Sequence, residues 1–178
     1  TDATARIVSS LLERTLGQPI NVVNRTGGSG VVGHQAIASS SPDGYTLGIS
    51  TSGPLANNKL LYKSMPYDAD KAFAPVVLVG EIPLVFAAHP SVPVKSLGEY
   101  VQYVRANPGK SSAGHAGNGT IGHLATEYLG MNTGAQLSSV PYRGDSPAMT
   151  DAIGGAVDGV SAPVTALEPN IKGNRLKA

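Results

Sequence analysis

The chain has 178 residues, with 13 Lys plus Arg against 12 Asp plus Glu and a net charge of +1. That balance supplies neither the basic excess nor the stripe that a nucleic-acid or anionic-membrane surface needs. Hydrophobic residues make up 41% and charged residues 14%, and the absence of cysteine excludes disulfides, zinc–thiolate sites and thiol catalysis.

Ile7, Val8, Leu11, Leu12 and Leu16 fall on one helical face, with Thr1 or Asp2 as cap and Gly17 as stop. The chain thus opens on the first turn of a helix, without a basic-then-apolar leader, as expected of a processed, trimmed or partial chain. Ile20–Val23 reads as a short strand, followed by the turn Gly27-Gly28-Ser29-Gly30 and a helix from Val31 to Ser40. Ser41-Pro42-Asp43-Gly44 is turn chemistry, since Pro presets φ and Asp and Gly supply the bend. Tyr45–Ser50 is the next strand, and a short helix over Leu55–Tyr62 follows Thr51-Ser52-Gly53-Pro54.

Ala74–His89 is the longest extended stretch and the candidate crossing strand between two lobes, 1–82 and 83–178. Its prolines, Pro75 and Pro83, confine it to edge or connecting roles. Helices are then expected at Leu97–Ala106, Thr120–Met131, Ser146–Gly154 and Ala166–Lys172. Strands are expected at Ser111–Ala113, Leu137–Pro141 and Val157–Ala162. Strands alternating with helices of this length imply an α/β fold with a mostly parallel sheet. No apolar run reaches the ~18 residues of a membrane span.

Ligands of such sheets sit beyond the carboxyl ends of the strands, where helix N-termini point N–H groups outward. The turns at those positions are built from Gly, Ser, Thr and Asn: Gly27–Gly30, Thr51-Ser52-Gly53, His115–Thr120, Tyr142–Ser146 and Ser161-Ala162-Pro163. Bare amides and small hydroxyls bind an anion without a buried countercharge, although short αβ turns use the same residues for conformational reasons alone. Gly28-Ser29-Gly30-Val31-Val32-Gly33 matches G-x-G-x-x-G, but Asn24–Gly27 separates it from the strand and no acid closes the next strand for a ribose. No G-x-S-x-G elbow, acid/base pair or metal-ligand spacing occurs. His34, His89, His115 and His123 are scattered; His123 falls one turn inside a helix, either as a ligand contact or as a packed histidine. The pattern is that of a binding protein without catalytic apparatus, cofactor or metal.

Ordered motifs along the whole chain resemble one family. They include Leu16-Gly17-Gln18-Pro19, Asn24-Arg25 before the glycine turn, Ser41-Pro42-Asp43-Gly44-Tyr45-Thr46-Leu47 and Pro66-Tyr67-Asp68. Further matches are Phe73-Ala74-Pro75-Val76, Asn107-Pro108-Gly109-Lys110, Gly117-Asn118-Gly119-Thr120 with His123-Leu124-Ala125, and Val140-Pro141-Tyr142-Arg143-Gly144. The chain resembles the periplasmic solute receptors of tripartite tricarboxylate transporters, the Bug family. The resemblance implies a two-lobed, type II-like periplasmic binding protein that closes on a small carboxylate, with a hinge near Gly80–Pro83, and delivers it to membrane components of a transporter. It implies ligand contacts at Thr1, Asp2, Thr51 and Ser52 in the first lobe and at Asn118, Gly119, Thr120, His123 and Ser161 in the second. The family's first strand with its Pro-Gly-Gly turn and its C-terminal segments are not in this sequence, so an incomplete first lobe, self-association or pairing with a complementary fragment, and weak or no ligand binding by these 178 residues are expected. The alternative from another class is a nucleotide-dependent α/β enzyme using the Gly28–Gly33 turn.

Overall fold

In the computed structural model, which describes residues 1–178, the chain divides into two units, Thr1–Ala74 and Pro75–Ala178. The first is helical. Helix α1 (Asp2–Leu16) starts at Thr1 and ends at Gly17, whose φ of 64° lets its N–H return to the Glu13 carbonyl. Helix α2 (Val31–Ala38) is entered through a single 3₁₀ turn, Gly28–Gly30, with Ser29 at φ 52°. The helix expected over Leu55–Tyr62 is split in two. A wide π-type turn over Gly53–Asn57 closes when the Asn58 N–H reaches the Gly53 carbonyl, and α3 (Asn58–Leu61) follows. His34, Tyr67 and Phe73 pack ring against ring, with centroids 5.3–6.2 Å apart. The Tyr67 hydroxyl donates to the Pro54 carbonyl at 3.0 Å.

Two expectations fail in this unit. Ile20–Val23 and Tyr45–Ser50 form no strand, because a strand exists only through a neighbour's hydrogen-bond ladder and none forms within Thr1–Ala74. The apolar stripe of α1 is exposed at Ile7, Leu11 and Leu16, in keeping with the expected incomplete first lobe.

The second unit is a three-layer α/β domain. Its elements run β1 (Leu84–Ala88), α4 (Leu97–Ala106), β2 (Ser111–His115), α5 (Ile121–Thr133), β3 (Leu137–Pro141), α6 (Asp145–Ile153), β4 (Gly159–Pro163) and α7 (Val164–Lys172). The strand order is β1-β4-β2-β3. β2 runs parallel to both β3 and β4, whereas β1 pairs antiparallel with β4, so the sheet is mixed rather than parallel throughout. The crossing strand expected over Ala74–His89 shrinks to Leu84–Ala88. Val76, Val77 and Leu78 before it are exposed and outside any ladder. Lys177 extends the edge beyond β1, exchanging both backbone hydrogen bonds with Ala88 at 2.7 and 2.8 Å.

Alternation along the strands builds two apolar layers, since successive side chains leave opposite faces. Ala87, Val160 and Ala162 meet Ala148, Ala152 and Leu167 on the α6–α7 face. Phe86 and Ala88 meet Tyr100, Val104 and Ala135 on the α4–α5 face. Local chemistry sets the helix starts on that face. Ser96 caps α4 by accepting from the Glu99 N–H, and Thr120 caps α5 by accepting from the His123 N–H.

This packing places fully buried Leu167 where truncation leaves a cavity. Leu167→Ala is expected to cost about 2–5 kcal/mol in urea unfolding followed by circular dichroism. Leu60→Ala, at 82% exposed, should stay within about 0.5 kcal/mol of the parent. Equal losses for the two would contradict the assigned core.

Candidate functional site

Because β2, β3 and β4 are parallel, their carboxyl ends and the turns that follow share one edge of the sheet. The Tyr142 N–H donates to the His115 carbonyl at 2.9 Å, joining the turn after β3 to the end of β2. Helix α5 is seated on β4 at Gly122. A Cβ there would stand 2.6 Å from the Ser161 carbonyl oxygen and 3.4 Å from His115 Cβ, so the helix start approaches the strand more closely than any side chain permits.

The turn 116–120 connects these parts and is closed on itself. The Thr120 hydroxyl donates to the Gly117 carbonyl at 2.7 Å, and the Thr120 N–H reaches the same oxygen at 3.3 Å. The Gly119 N–H donates to His123 Nδ1 at 3.3 Å. Gly119 holds φ at 85°, a conformation that side-chain-bearing residues adopt only under strain. His115 Nδ1 lies 3.2 Å from the Gly117 nitrogen and 3.1 Å from its carbonyl oxygen, and His115 Nε2 lies 2.9 Å from Ser139 Oγ on β3. The His115 and His123 imidazoles pack at a tilt of 50° with centroids 4.9 Å apart. Burial, and after it the charge of a protonated His123, lowers the His115 pKa from the ordinary 6.5, so the neutral ring is favoured.

The neighbouring turn carries the other ionisable groups. Tyr142 donates to Asp151 at 2.7 Å. Burial and then this carboxylate push its phenol up to about 12. Burial also raises the pKa of Asp145, the first residue of α6. Arg143 is exposed beside it.

The sequence-expected residues separate into distinct places. Asn118, Gly119, Thr120 and His123 come together in the turn after β2. Asn118 faces solvent, whereas the amides of Gly119 and Thr120 are already engaged within the turn. Two of the amides expected to be presented by this turn are thus used to close it. Ser161 is not at a turn. It is buried within β4, and its hydroxyl meets Thr126 Oγ1 at 3.0 Å on the α5 face. That face holds a mostly apolar cleft of about 280 Å³ lined by Leu84, Phe86, Leu97, Tyr128, Leu129 and Ser161.

Thr1, Asp2, Thr51 and Ser52 belong to the first unit. Asp2 is engaged: Oδ1 accepts from the Asn24 amide at 2.7 Å and Oδ2 from Arg6 at 3.0 Å. These two bonds, Asn24's first, hold its carboxyl below the usual range. Thr1 and Ser52 start helical turns without a side-chain cap bond, and the Thr51 carbonyl accepts from the Ser50 hydroxyl at 3.1 Å. The Gly28–Gly33 segment lacks the strand a dinucleotide turn must follow, since residues 20–24 form no ladder. The residues that sequence reasoning missed as partners are Ser139 and Thr126. Each is tied to the site by an approach between elements distant in sequence, which no local motif reveals.

The profile described as the tripartite tricarboxylate transporter family receptor matches residues 4–178, and the chain belongs to this family. Protein BugT of Bordetella pertussis is 37% identical over 100% of this chain and 55% of its own length. A Pseudomonas sp. protein from the tcbD–tcbE intergenic region is also 37% identical, over 99% of this chain and 52% of its own. The chain thus spans about half the length of these relatives. Among solved structures, an R. palustris protein with adipate superposes at TM-score 0.97 and 32% identity, covering 99% of this chain and 59% of that one. The periplasmic binding protein BugD superposes at 0.93 and 32%, covering 100% and 59%. MatC from Rhodopseudomonas palustris with bound malate superposes at 0.90 and 29%, covering 99% and 60%.

Two outcomes follow from this geometry. Gly122→Ala gains about 1 kcal/mol of helix propensity, yet its methyl must push α5 off the Ser161 carbonyl, at about 1–3 kcal/mol. Net destabilisation in a urea titration is expected, and net stabilisation would contradict the seating. Stability should also fall as pH drops below 6.5 toward the lower folded pKa of His115, because the unfolded chain binds the proton first. A flat thermal-unfolding profile between pH 7 and 5 would contradict the buried neutral ring.

Proposed function

We propose that this chain forms part of an extracytoplasmic, periplasmic receptor that binds a small carboxylate for a tripartite tricarboxylate transporter. The observation that carries this reading is the edge where the turns after β2 and β3 meet, within a family whose solved members include an adipate complex and a malate complex. Asn118 and the Tyr142–Asp145 turn offer this edge an exposed side-chain amide and backbone groups, while the Thr120 hydroxyl, spent on the Gly117 carbonyl, shapes the turn. Together with exposed Arg143 they can hold a carboxylate without a buried countercharge. In the first unit, Thr1, Thr51 and Ser52 remain as contacts, whereas the charge of Asp2 and its two partners argue for a structural role. The lobes expected at 1–82 and 83–178, delivery to membrane components, and the absence of catalysis, nucleic-acid binding, metal and cofactor belong to the same reading. So does the expectation that this chain self-associates.

Thermal unfolding of the 178-residue chain with adipate, malate, NAD, NADP or ATP tests it. An acid at ten times its Kd adds about 1.4 kcal/mol, a rise of roughly 3–6 °C for a chain of this size. The acids are expected to raise Tm and the nucleotides are not. Stabilisation by nucleotides alone, or by no acid at millimolar concentration, would contradict the reading.

Gly119→Val places a branched side chain at φ 85° and reshapes the turn. It is expected to weaken acid binding by calorimetry at least roughly tenfold, about 1.4 kcal/mol, with the circular dichroism spectrum retained. Parental affinity in the folded variant would remove the turn from the site.

A further inference from the structure

His123 is bound into the turn before it at two points. Its backbone N–H donates to Thr120 Oγ1 at 3.4 Å, and its ring Nδ1 accepts the Gly119 N–H at 3.3 Å. An imidazole nitrogen accepts only while it carries no proton, so this contact selects the neutral ring with its hydrogen on Nε2. Nε2 in turn faces Glu127 Oε1, one turn further along α5, at 3.8 Å. The ring is 18% exposed, so solvent protons reach it.

We propose that His123 is a positioning residue: its unprotonated Nδ1 holds the 117–120 turn in shape through Gly119, and protonation of the ring releases that hold. A proton on Nδ1 sets two N–H donors against each other across the present contact. The ring then keeps only its Glu127 partner, which attracts the cation toward the exposed face of α5. The groups facing His123 from the elements around it are few. Glu127 on its own helix favours the cation, and His115 at the end of β2 opposes it when charged. Ser139 on β3, which bonds His115, carries no charge, and β4 has no titratable residue between Gly159 and Pro163.

The consequence for the ligand rests on the carboxylate reading, but the hold on the turn does not. The turn in which Asn118 and Thr120 stand would keep its binding shape only while the His123 ring is neutral. Acid binding would then weaken on acidification through a change of turn geometry, although a cationic ring by itself would attract an anion.

The test uses the complete 178-residue chain, labelled with ¹⁵N and without ligand, so its outcome is independent of whether any acid binds. Long-range ¹H–¹⁵N spectra report the state of each ring nitrogen, and the Gly119 amide is followed over the same pH series. At high pH, His123 should show a bare Nδ1 and a protonated Nε2. The Gly119 amide should shift with the same midpoint as the ring. His123→Asn, whose side-chain oxygen falls near the Nδ1 position and does not titrate, should keep the Gly119 shift of the neutral state and lose its pH dependence. His123→Leu should lose both. A neutral ring protonated on Nδ1, or a Gly119 amide that does not follow the ring, would overturn the proposal. If the spectra agree and no acid binds at any pH, the turn lock stands and the carboxylate reading fails.

Discussion

The contact on which the site depends is the seat of α5 on β4. At Gly122 the helix backbone lies so near the Ser161 carbonyl that the smallest side chain does not fit. That approach fixes the height of the helix start above the sheet, and with it the path of the five residues linking β2 to α5. The rest follows in sequence. Thr120 caps the helix and reaches back to Gly117, His123 catches Gly119, and His115 fills the space beneath against Ser139. A turn of small residues is thereby held by side chains rather than left as a flexible loop. Preorganisation of this kind lowers the ordering cost that binding would otherwise incur.

A site of this composition binds differently from one lined with arginines. Its groups are an exposed amide, hydroxyls and backbone dipoles, with Arg143 exposed beside them. Hydrogen bonds to a charged partner are each worth about 1.5–3 kcal/mol. A handful of them, less the cost of association, suffices for a micromolar complex near −8 kcal/mol.

How much of this was legible in the sequence differs between the two halves. In the second, apolar periodicity and caps such as Thr120 located the elements from α4 to α7 to within a few residues, because each signal is local. The strand expected over Ala74–His89, in contrast, was far too long: only Leu84–Ala88 finds a ladder. In the first, Ile20–Val23 and Tyr45–Ser50 have strand composition but no ladder, and pairing is a property of neighbours that composition does not encode. The site shows the same division. Gly119 and Thr120 were readable from their turn chemistry. Ser161 was misplaced at a turn because β4 begins at Gly159 and runs through Pro163, which buries its hydroxyl against Thr126. The partners of Asp2, Asn24 and Arg6 on its two oxygens, are likewise not readable from the motif that resembles the family.

The proposed position for a small carboxylate is the carboxyl edge of β2 and β3. Amide chemical-shift mapping of the 178-residue chain during titration with adipate decides whether one binds there. Saturable shifts concentrated at Asn118–Ile121 and Arg143–Asp145 are expected. Shifts confined to the apolar cleft around Leu84, Phe86, Leu97 and Tyr128, or none at millimolar adipate, would contradict that position.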